Sequence, residues 1–357
     1  MDNHDARTTL VVGATGISGA AICRAARARG SQVLGVSRRE PTVPGVQHVA
    51  ADLLDDASVR GALEPLRPST VHLTAWVRRD TEAENIETNS AVVRRILDAL
   101  GPAGSVGHVA LMTGLKHYLG PFEAYAQGKT PDTPFHEDEP RLDLPNFYYA
   151  QEDVLFEAAA RYGFTWSVHR SHTVIGHAVG NAMNMALTIA VAASIARETG
   201  RPLVFPGSAA QWNGLTDVTD ADVLADQMLW AASTPAAADQ AFNIVNGDVF
   251  RWRWMWPRIA GWFGVEWEGW SGEDRPFQTR MAEAAGVWRD VASRHGLVEQ
   301  DVERLASWWH TDSDLGRPME VVTDMARSRA AGFTTYRSSW DSFRTQFERY
   351  RAERLIP

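Results

Sequence analysis

The stretch TTLVVGATGISGAAICRAARARG, residues 8–30, decides the fold. It opens with a short apolar, β-branched run that ends at Gly13, as a buried strand does. Residues 20–30 then place apolar side chains at helical spacing and stop at Gly30, a residue type that commonly ends a helix. A strand, a glycine-rich turn and a helix in this order predict the first part of a βαβ unit.

The same alternation continues along the chain. Further strands are predicted at 32–39, 70–76, 107–114 and 164–171, and helices at 89–100 and 153–163. Asn89 or Ser90 is the expected cap of the first of these helices. Strands that alternate with helices of this length predict an α/β protein built on a doubly wound parallel sheet.

The pattern becomes irregular after about residue 176. We therefore predict a sheet domain over residues 1–175 and a smaller, mostly helical substrate-binding lobe over 176–357. Returning sheet elements are expected near 211–248, including a strand that begins at 241. The lobe is expected to close over the strand ends, where open α/β sheets bind ligands.

Composition narrows the function classes. With 45% hydrophobic and 22% charged residues, the 357-residue chain is typical of a globular protein, and its net charge of -9 argues against nucleic acid or an anionic membrane as the main partner. The single cysteine, Cys23, excludes an intrachain disulfide and fits a reducing compartment. Because the first ten residues contain no apolar run of signal-peptide length, a cytoplasmic location is expected. The apolar stretch 185–196 is too short for a bilayer and predicts a buried helix. Six of the fourteen tryptophans fall in 252–270, where packing of the lobe is the favoured explanation.

The glycines of the first turn indicate a dinucleotide site. Gly13, Gly16 and Gly19 are spaced G-x-x-G-x-x-G between the strand and the helix. Such a turn needs a residue that tolerates positive φ, and close approach of the backbone to a pyrophosphate needs a residue without Cβ. The helix N-terminus then offers free N–H groups to the anion. These features predict a Rossmann fold that binds NAD or NADP.

The end of the second strand favours NADP. An NAD site usually places Asp or Glu there to accept from the ribose 2′-hydroxyl, whereas this chain has Ser37, Arg38 and Arg39, which suit a 2′-phosphate. A solvated basic turn is the alternative. Asp52 is a candidate partner of the adenine amino group, or a simple turn residue. The complete predicted cofactor set is Gly13, Thr15, Gly16, Ile17, Gly19, Ser37, Arg38, Arg39, Asp52, Leu53, Thr74, Ala75 and Thr113.

A tyrosine pair in NFYYAQED, residues 146–153, raises a chemical question. Reduction of a carbonyl or an enone requires a proton or hydrogen-bond donor at the oxygen that gains charge, and a nearby cation activates a tyrosine for this role. In ordinary short-chain dehydrogenases that cation is a lysine four residues later, but here Asp153 follows Tyr149 and Glu152 follows Tyr148 at that spacing. Lys116, after the strand at 107–114, is the candidate elsewhere.

Lysine is rare in this chain. Lys116 and Lys129 are the two lysines among 35 basic residues, so the other 33 are arginines. A chain that uses arginine almost everywhere has little need of lysine as general surface charge, which favours a specific role for at least one lysine. An ordinary surface lysine is the alternative.

Five segments together resemble the progesterone 5β-reductase/iridoid synthase-like (PRISE) family, which consists of atypical extended short-chain dehydrogenases/reductases. The segments are GATGISG (13–19), TGLKHYLGPFE (113–123), NFYYAQED (146–153), WSVHR (166–170) and FNIVNGDVFRWRWMWPRIAGWFG (242–264). The resemblance implies NADPH-dependent reduction of the C=C bond of activated enones, with the lysine moved to Lys116 and the catalytic tyrosine at Tyr149, with Tyr148 as the fallback. Asp153 is then interpreted as an acid near the helix N-terminus. The implied substrate pocket contains Trp76, Phe122 and Tyr148.

Several alternatives stay open at this point. The same residues could perform 1,2-reduction of an aldehyde or ketone, and a non-catalytic NADP-binding regulatory protein is a third hypothesis. Sugar-nucleotide epimerisation is disfavoured without a Tyr-x-x-x-Lys pair. The expected substrate is a small apolar carbonyl or enone compound, and the expected assembly is a homodimer.

Two further sequence features bear on the site. The segment SHTVIG, residues 171–176, departs from the Pro-Gly that the family usually has after WSVHR, so its contacts with the nicotinamide are open. No metal is expected, because the spacing of His169, His172 and His177 fits no ordinary zinc pattern.

Overall fold

Seven parallel strands form the central sheet. The structure is a computed structural model that describes residues 7–121 and 131–357. The strands of the described chain, four of which (β7, β8, β9 and β11) lie outside the central sheet, are β1 Thr8–Val12, β2 Gln32–Ser37, β3 Val46–Ala50, β4 Thr70–Leu73, β5 His108–Gly114, β6 Thr165–Ser171, β7 Val174–Ile175, β8 Leu203–Val204, β9 Thr219–Asp220, β10 Gln240–Ile244 and β11 Trp267–Glu268. The sheet order is β10-β6-β5-β4-β1-β2-β3, and every pairing in it is parallel. The strand order reverses at β1 and β4, which places a ligand-binding crevice at their carboxyl ends.

Helices cover both faces of this sheet and also occur along the rest of the chain. They are α1 Ile17–Ala28, α2 Asp56–Leu63, α3 Glu82–Leu100, α4 Lys116–Leu119, α5 Phe147–Tyr162, α6 Met185–Thr199, α7 Ala209–Asn213, α8 Ala221–Ala231, α9 Trp252–Phe263, α10 Phe277–Arg280, α11 Ala284–His295, α12 Trp308–Leu315, α13 Ala326–Ala330 and α14 Ser339–Ala352. Neighbouring strand residues supply opposite layers: Leu10 packs with α2, α3 and α5, and Val11 packs with α1 and α8. This double covering confirms the predicted doubly wound α/β fold.

The lobe that follows is built on aromatic and apolar helix faces. Its core joins α6, α9, α11 and α14, and Trp252, Trp256 and Trp288 are fully buried in it. Trp254 and Trp267 are 43% exposed, so the tryptophan-rich segment serves packing through some of its members only. The chain also returns to the sheet, since α8 packs on α1 and β10 pairs with β6. The boundary between residues 175 and 176 stays a prediction.

The helix α3 begins earlier than its pattern predicts. Thr81 caps α3 through a capping box with Glu84, so the cap expected at Asn89 or Ser90 is wrong. Asn89 is instead a buried residue of the helix interior, and its side-chain amide accepts from and donates to the backbone of Val77. The polar side chain thereby holds the loop between β4 and α3, which borders the crevice.

Among residues 7–121 and 131–357, no helix is long and apolar enough to cross a membrane. The apolar helix α6 has 15 residues, and those from Met185 to Ala196 are buried in the lobe core. This placement confirms the prediction of a buried helix at 185–196.

Three buried histidines share one face of the sheet. His72 lies on β4, His108 on β5 and His169 on β6. Ser167 Oγ lies 2.9 Å from His108 Nε2 and 2.8 Å from His169 Nε2, whereas both ring nitrogens of His72 lack a hydrogen-bond partner among the described residues. Burial lowers the pKa of His72 to about 3, that of His108 to about 4 and that of His169 to about 3.

We expect these histidines to make the protein acid-labile. The unfolded chain binds protons at histidine below about pH 6.5, whereas the native imidazoles stay neutral until the pH approaches their lowered pKa values. Their contribution to stability is therefore complete above about pH 6.5. It is lost as the pH falls, at about 1.4 kcal/mol per pH unit for each histidine.

The measurement is the free energy of unfolding by urea between about pH 7 and about pH 5. His72→Leu is expected to reduce the slope of the unfolding free energy against pH by about 1.4 kcal/mol per pH unit, which corresponds to one proton, because the unpartnered imidazole is replaced by an apolar group. His136→Asn is the control, since His136 is exposed. An equal slope in His72→Leu and the wild type would contradict the expectation.

Candidate active site

The turn after β1 is shaped by close backbone contacts. Gly13 has a φ of +89°, and a Cβ added there would lie 2.9 Å from Thr74 Oγ1 and 3.1 Å from Ala75 Cβ. A Cβ on Gly19 would lie 2.1 Å from the Gly13 carbonyl oxygen. Gly16 is the N-cap residue of α1 and has extended backbone angles. The turn therefore accepts only glycine at its two tight positions and presents the start of α1 to the crevice, as a pyrophosphate site requires.

The end of β2 is tight and positively charged. Ser37 is buried, and its hydroxyl donates to the carbonyl of Arg39 at 2.6 Å. Arg38 and Arg39 are exposed, and among the described residues no carboxylate lies within ion-pair distance of either guanidinium. Two guanidiniums without a counter-ion at this strand end fit a 2′-phosphate.

The remaining predicted cofactor residues are placed as follows. Asp52 is exposed, and its Oδ1 accepts from the backbone N–H of Leu54 at 3.0 Å, so it forms a turn whatever else it binds. Leu53 and Thr15 are partly exposed, while Ile17 is buried at the start of α1. Their contacts with a cofactor stay predictions.

The hydroxyl of Thr113, near the end of β5, is a candidate for a hydrogen bond with a ligand. Its side chain is buried, and its hydroxyl has no hydrogen-bond partner among the described residues. The Thr113 carbonyl is already taken, since it accepts from the Ser171 hydroxyl at 3.0 Å. An unpaired buried hydroxyl beside the crevice is expected where a cofactor or substrate completes the hydrogen bonding.

Tyr148 lies over the carboxyl ends of β5 and β6. A Cβ added at Gly114, the last residue of β5, would lie 3.2 Å from the Tyr148 hydroxyl oxygen and 3.2 Å from the Ser171 carbonyl oxygen. The Tyr148 side chain is partly exposed. Its hydroxyl therefore reaches the crevice side of the sheet, where the fold places the nicotinamide half of a dinucleotide.

Tyr149 points elsewhere and is committed to the backbone. Its hydroxyl donates to the carbonyl of His117 at 2.7 Å and accepts from the N–H of Leu142 at 3.0 Å. The side chain is 7% exposed, and burial raises the pKa of its phenol. Neighbouring helical residues diverge by about 100°, so only one of the two rings can face the strand ends. The expected donor was Tyr149, but these contacts favour Tyr148, the fallback, as the candidate, and the catalytic assignment stays a prediction.

Lys116 lies beside the start of α5. It begins α4, and its Nζ is 3.7 Å from Glu82 Oε2 and 4.9 Å from the centre of the Phe147 ring. The carbonyl of Lys116 accepts from the Asn146 side chain at 2.8 Å. Lys116 and the candidate tyrosine, Tyr148, therefore both lie against the Phe147 ring. Lys129 lies outside the described residues.

Phe147 forms the apolar base of this cluster. Trp76 stacks on it with ring centres 5.3 Å apart and an interplanar angle of 19°, and the Tyr148 ring packs at 4.2 Å. Trp76 is partly exposed in the loop between β4 and α3. Phe122, predicted to line the same pocket, lies outside the described residues.

The acids after the tyrosines have a partner. Arg141 pairs with Glu152 at 2.8 Å and with Asp153 at 2.7 Å. Asn146 caps α5 by accepting from the N–H of Tyr148, so the helix begins earlier than predicted and Asp153 is its seventh residue. The interpretation of Asp153 as an acid near the helix N-terminus is therefore wrong. Arg141 therefore neutralises the acids at the position of the usual lysine.

The atypical segment after β6 contacts the lobe. His172 Nδ1 lies 2.8 Å from Asp217 Oδ1, and its Nε2 lies 2.6 Å from a guanidinium nitrogen of Arg317. His169 contacts Gln227 on α8, and His177 pairs with Glu353. In the described part of the chain, no group of three or more His, Cys, Asp or Glu residues could hold a metal ion.

Sequence reasoning missed Glu82 and two structural residues of the site, Asn146 and Phe147. One signal was available for Glu82, since the spacing of Thr81 and Glu84 is that of a capping box and would have placed the start of α3 beside it. The contact of Glu82 with α5 has no local signal, because 65 residues separate the partners.

Comparison with known proteins shows the family of this chain. The model of the PRISE-like Rossmann-fold domain family matches residues 63–357. The 3-oxo-Δ4,5-steroid 5β-reductase of Arabidopsis thaliana is 37% identical over 98% of this chain and 92% of that protein. The (S)-8-oxocitronellyl enol synthase of Nepeta cataria is 38% identical over the same shares, and that of Catharanthus roseus is 34% identical over 98% of this chain and 92% of its own.

Solved structures share the fold at low identity. An epimerase from Methanothermobacter thermautotrophicus has a TM-score of 0.70 and 15% identity, covering 98% of this chain and 93% of its own. A short-chain dehydrogenase/reductase superfamily protein from Agrobacterium tumefaciens, solved with bound NAD, has a TM-score of 0.66 and 16% identity, covering 98% of each chain. At these identities the likeness concerns the fold alone.

Proposed function

The chain belongs to the PRISE-like Rossmann-fold family, and from that premise we propose that it is an oxidoreductase that reduces the C=C bond of activated enones with NADPH. The observation that carries the proposal is the cluster at the carboxyl ends of β5 and β6. There the Tyr148 hydroxyl lies beside Gly114, and both the Tyr148 ring and the Lys116 ammonium lie against the Phe147 ring. The reductase and enol synthase named among the relatives support the same chemistry.

The residues of the chain act on the oxygen of the substrate. When bound, NADPH supplies the hydride that saturates the β-carbon. Tyr148 donates a hydrogen bond to the carbonyl oxygen as this oxygen gains negative charge, and the Lys116 ammonium stabilises that charge through space. Arg141 keeps the acids of α5 from opposing it, because both carboxylates are paired. The result is an enolate held by a donor and a cation, and a proton from water, added at the α-carbon, would complete the saturated product.

The pocket favours an apolar substrate. Trp76 stacks on Phe147 beside Tyr148, so the walls next to the candidate donor are aromatic. Such a surface binds a flat or hydrophobic compound through buried apolar area, and the tyrosine hydroxyl fixes the orientation of its carbonyl. We propose a small apolar enone as the substrate class.

NADPH is the proposed cofactor because Arg38 and Arg39 are exposed at the end of β2. Replacing both by alanine is expected to raise the dissociation constant for NADPH about 100-fold, since two charge-assisted contacts with a phosphate are lost. Binding of NADH, which lacks that phosphate, is expected to change by less than about threefold. Titration of cofactor fluorescence measures both constants.

Arg67→Ala is the matched control for this experiment. Arg67 is also exposed on the surface, where it bonds backbone carbonyls away from the crevice. An equal loss of NADPH and NADH affinity in the double variant would show that the basic turn supports folding and does not recognise the 2′-phosphate.

The function is tested with 2-cyclohexen-1-one, by following NADPH consumption and identifying the product by gas chromatography. Cyclohexanone is the expected product. Cyclohexenol would mean 1,2-carbonyl reduction by the same residues, and NADPH binding without consumption for any enone or carbonyl compound tried would favour a regulatory role.

Assembly and location remain expectations. We expect a homodimer, as in much of the superfamily, and light scattering after size-exclusion chromatography measures it. A cytoplasmic location is expected because the single cysteine, Cys23, fits a reducing compartment.

A further inference from the structure

We propose that Glu82 is a positioning residue of this site, holding both the ammonium of Lys116 and the start of the helix that carries Tyr148. The inference rests on the proposed function, because it concerns how that reaction's donor and cation are oriented. The contacts of its carboxylate among the described residues are with Phe147 and Lys116, and Glu82 is proposed to act through these two partners.

Two contacts of one carboxylate support the proposal. Glu82 is the first residue of α3, and its Oε1 accepts from the backbone N–H of Phe147 at 2.7 Å. Its Oε2 lies 3.7 Å from Lys116 Nζ. The side chains of Glu82 and Lys116 are 13% and 11% exposed, so water screens the pair little.

The contact with Phe147 fixes the first turn of α5. The first N–H groups of a helix have no partner within the helix, and a buried one must be satisfied from outside. Asn146 satisfies the N–H of Tyr148, and Glu82 satisfies that of Phe147 from another helix. The direction in which Tyr148 leaves the helix therefore depends on where Glu82 holds the turn.

The contact with Lys116 fixes the cation. A lysine ammonium sits on a flexible four-carbon stem and readily loses its proton when it is poorly hydrated. A carboxylate at ion-pair distance limits the positions of the ammonium and favours the charged form. Glu82 itself lies in the first turn of α3, where the helix dipole stabilises negative charge. One carboxylate thus couples the two catalytic candidates.

A competing view predicts the opposite sign. If Glu82 only attenuated the positive field of Lys116 at the substrate oxygen, removing its charge would raise the turnover number. The two views are separated by Glu82→Gln, because glutamine keeps a carbonyl oxygen for the Phe147 N–H and loses the negative charge.

Turnover of 2-cyclohexen-1-one by the full chain is the first measurement. Glu82→Gln is expected to lower kcat about tenfold, with the dissociation constant for NADPH and the melting temperature close to those of the wild type. Glu82→Asp, which keeps the charge, is expected to recover part of that loss. Glu84→Gln is the control, since Glu84 lies in the same helical turn and its side chain serves the capping box alone. An unchanged or higher kcat in Glu82→Gln would overturn the proposal.

A double-mutant cycle tests whether Glu82 acts through Lys116. In a Lys116→Met background, Glu82→Gln is expected to change kcat by less than about twofold, because the partner is already absent. A full tenfold loss in that background would mean that Glu82 acts without Lys116 and would overturn the assignment.

A labelling experiment tests the pairing without any catalysis. An amine-selective acylating reagent meets two lysine side chains in this chain, which mass spectrometry distinguishes from each other and from the terminal amine, so Lys129 is an internal reference for Lys116. Glu82→Gln is expected to speed acylation of Lys116 at least about fivefold relative to Lys129, because the neutral amine is the reactive form and loss of the carboxylate no longer favours the ammonium. An unchanged ratio would refute the pairing. The expected faster acylation of Lys116 in Glu82→Gln, together with a wild type that turns over no enone, would refute the proposed function and leave the pairing established.

Discussion

Tyr148→Phe is expected to lower kcat for enone reduction by about 10²- to 10³-fold while NADPH binds as in the wild type. The loss of one preorganised hydrogen-bond donor at an oxygen that gains charge has this magnitude. Tyr148 is the proposed donor, because its hydroxyl lies beside Gly114 at the strand ends. Steady-state kinetics and cofactor titration on the same preparation provide the measurement.

Tyr149→Phe is the matched control, since it removes the same hydroxyl from the neighbouring residue. We expect it to cost about 1–3 kcal/mol of stability, because the carbonyl of His117 and the N–H of Leu142 both lose their partner. Its kcat below the melting temperature is expected to stay within about threefold of the wild type. The reverse pattern, with turnover lost in Tyr149→Phe and kept in Tyr148→Phe, would return the catalytic role to Tyr149.

Lys116→Met is expected to lower kcat by about 10²-fold, which corresponds to about 2.7 kcal/mol at the transition state. Methionine has a similar length and no charge, so the pocket keeps its shape and loses its cation. The alkaline limb of the pH–rate profile is expected to move to higher pH, because a nearby positive charge favours ionisation of the tyrosine and its removal does not. The profile of kcat between about pH 6 and about pH 10 measures both effects.

Lys116→Arg separates charge from shape. Arginine keeps the positive charge beside Glu82 but presents it as a broad planar group, so we expect an intermediate kcat and a pH profile like that of the wild type. A Lys116→Met enzyme with wild-type kcat and an unchanged profile would reduce Lys116 to a residue of the ion pair with Glu82.

Asp153, the acid that follows the two tyrosines, shows what a local sequence pattern can predict and what it cannot. Asp153 occupies the position of the usual lysine, and sequence reasoning found that the cation had to come from elsewhere. The interpretation of Asp153 as an acid near the helix N-terminus is wrong, since the helix starts at Phe147 and Asp153 pairs with Arg141. A pattern of polar and apolar residues locates a helix well, but its first residue depends on a capping side chain.

The same limit explains the two tyrosines. Tyr148 and Tyr149 are identical in type and adjacent in sequence, so composition and spacing give them equal claims to the catalytic role. Asn146 and Glu82 anchor the first turn of α5 in one orientation about the helix axis, and this orientation decides which of the two rings faces the crevice. That anchor joins segments 65 residues apart, a distance that no local pattern encodes.

By itself the sequence determined the doubly wound sheet, the glycine turn, the basic end of β2 and the segments that carry Lys116 and the tyrosine pair. These features are local, since each rests on hydrophobic periodicity, on glycine spacing or on the residue types of one short segment. Only the tertiary structure decided that Tyr148 faces the crevice, that Arg141 neutralises the acids of α5 and that Glu82 joins Lys116 to Phe147. The physical reason is that a side chain's direction and its partners are set by packing and hydrogen bonds between elements far apart in the chain, which exist only once those elements have docked.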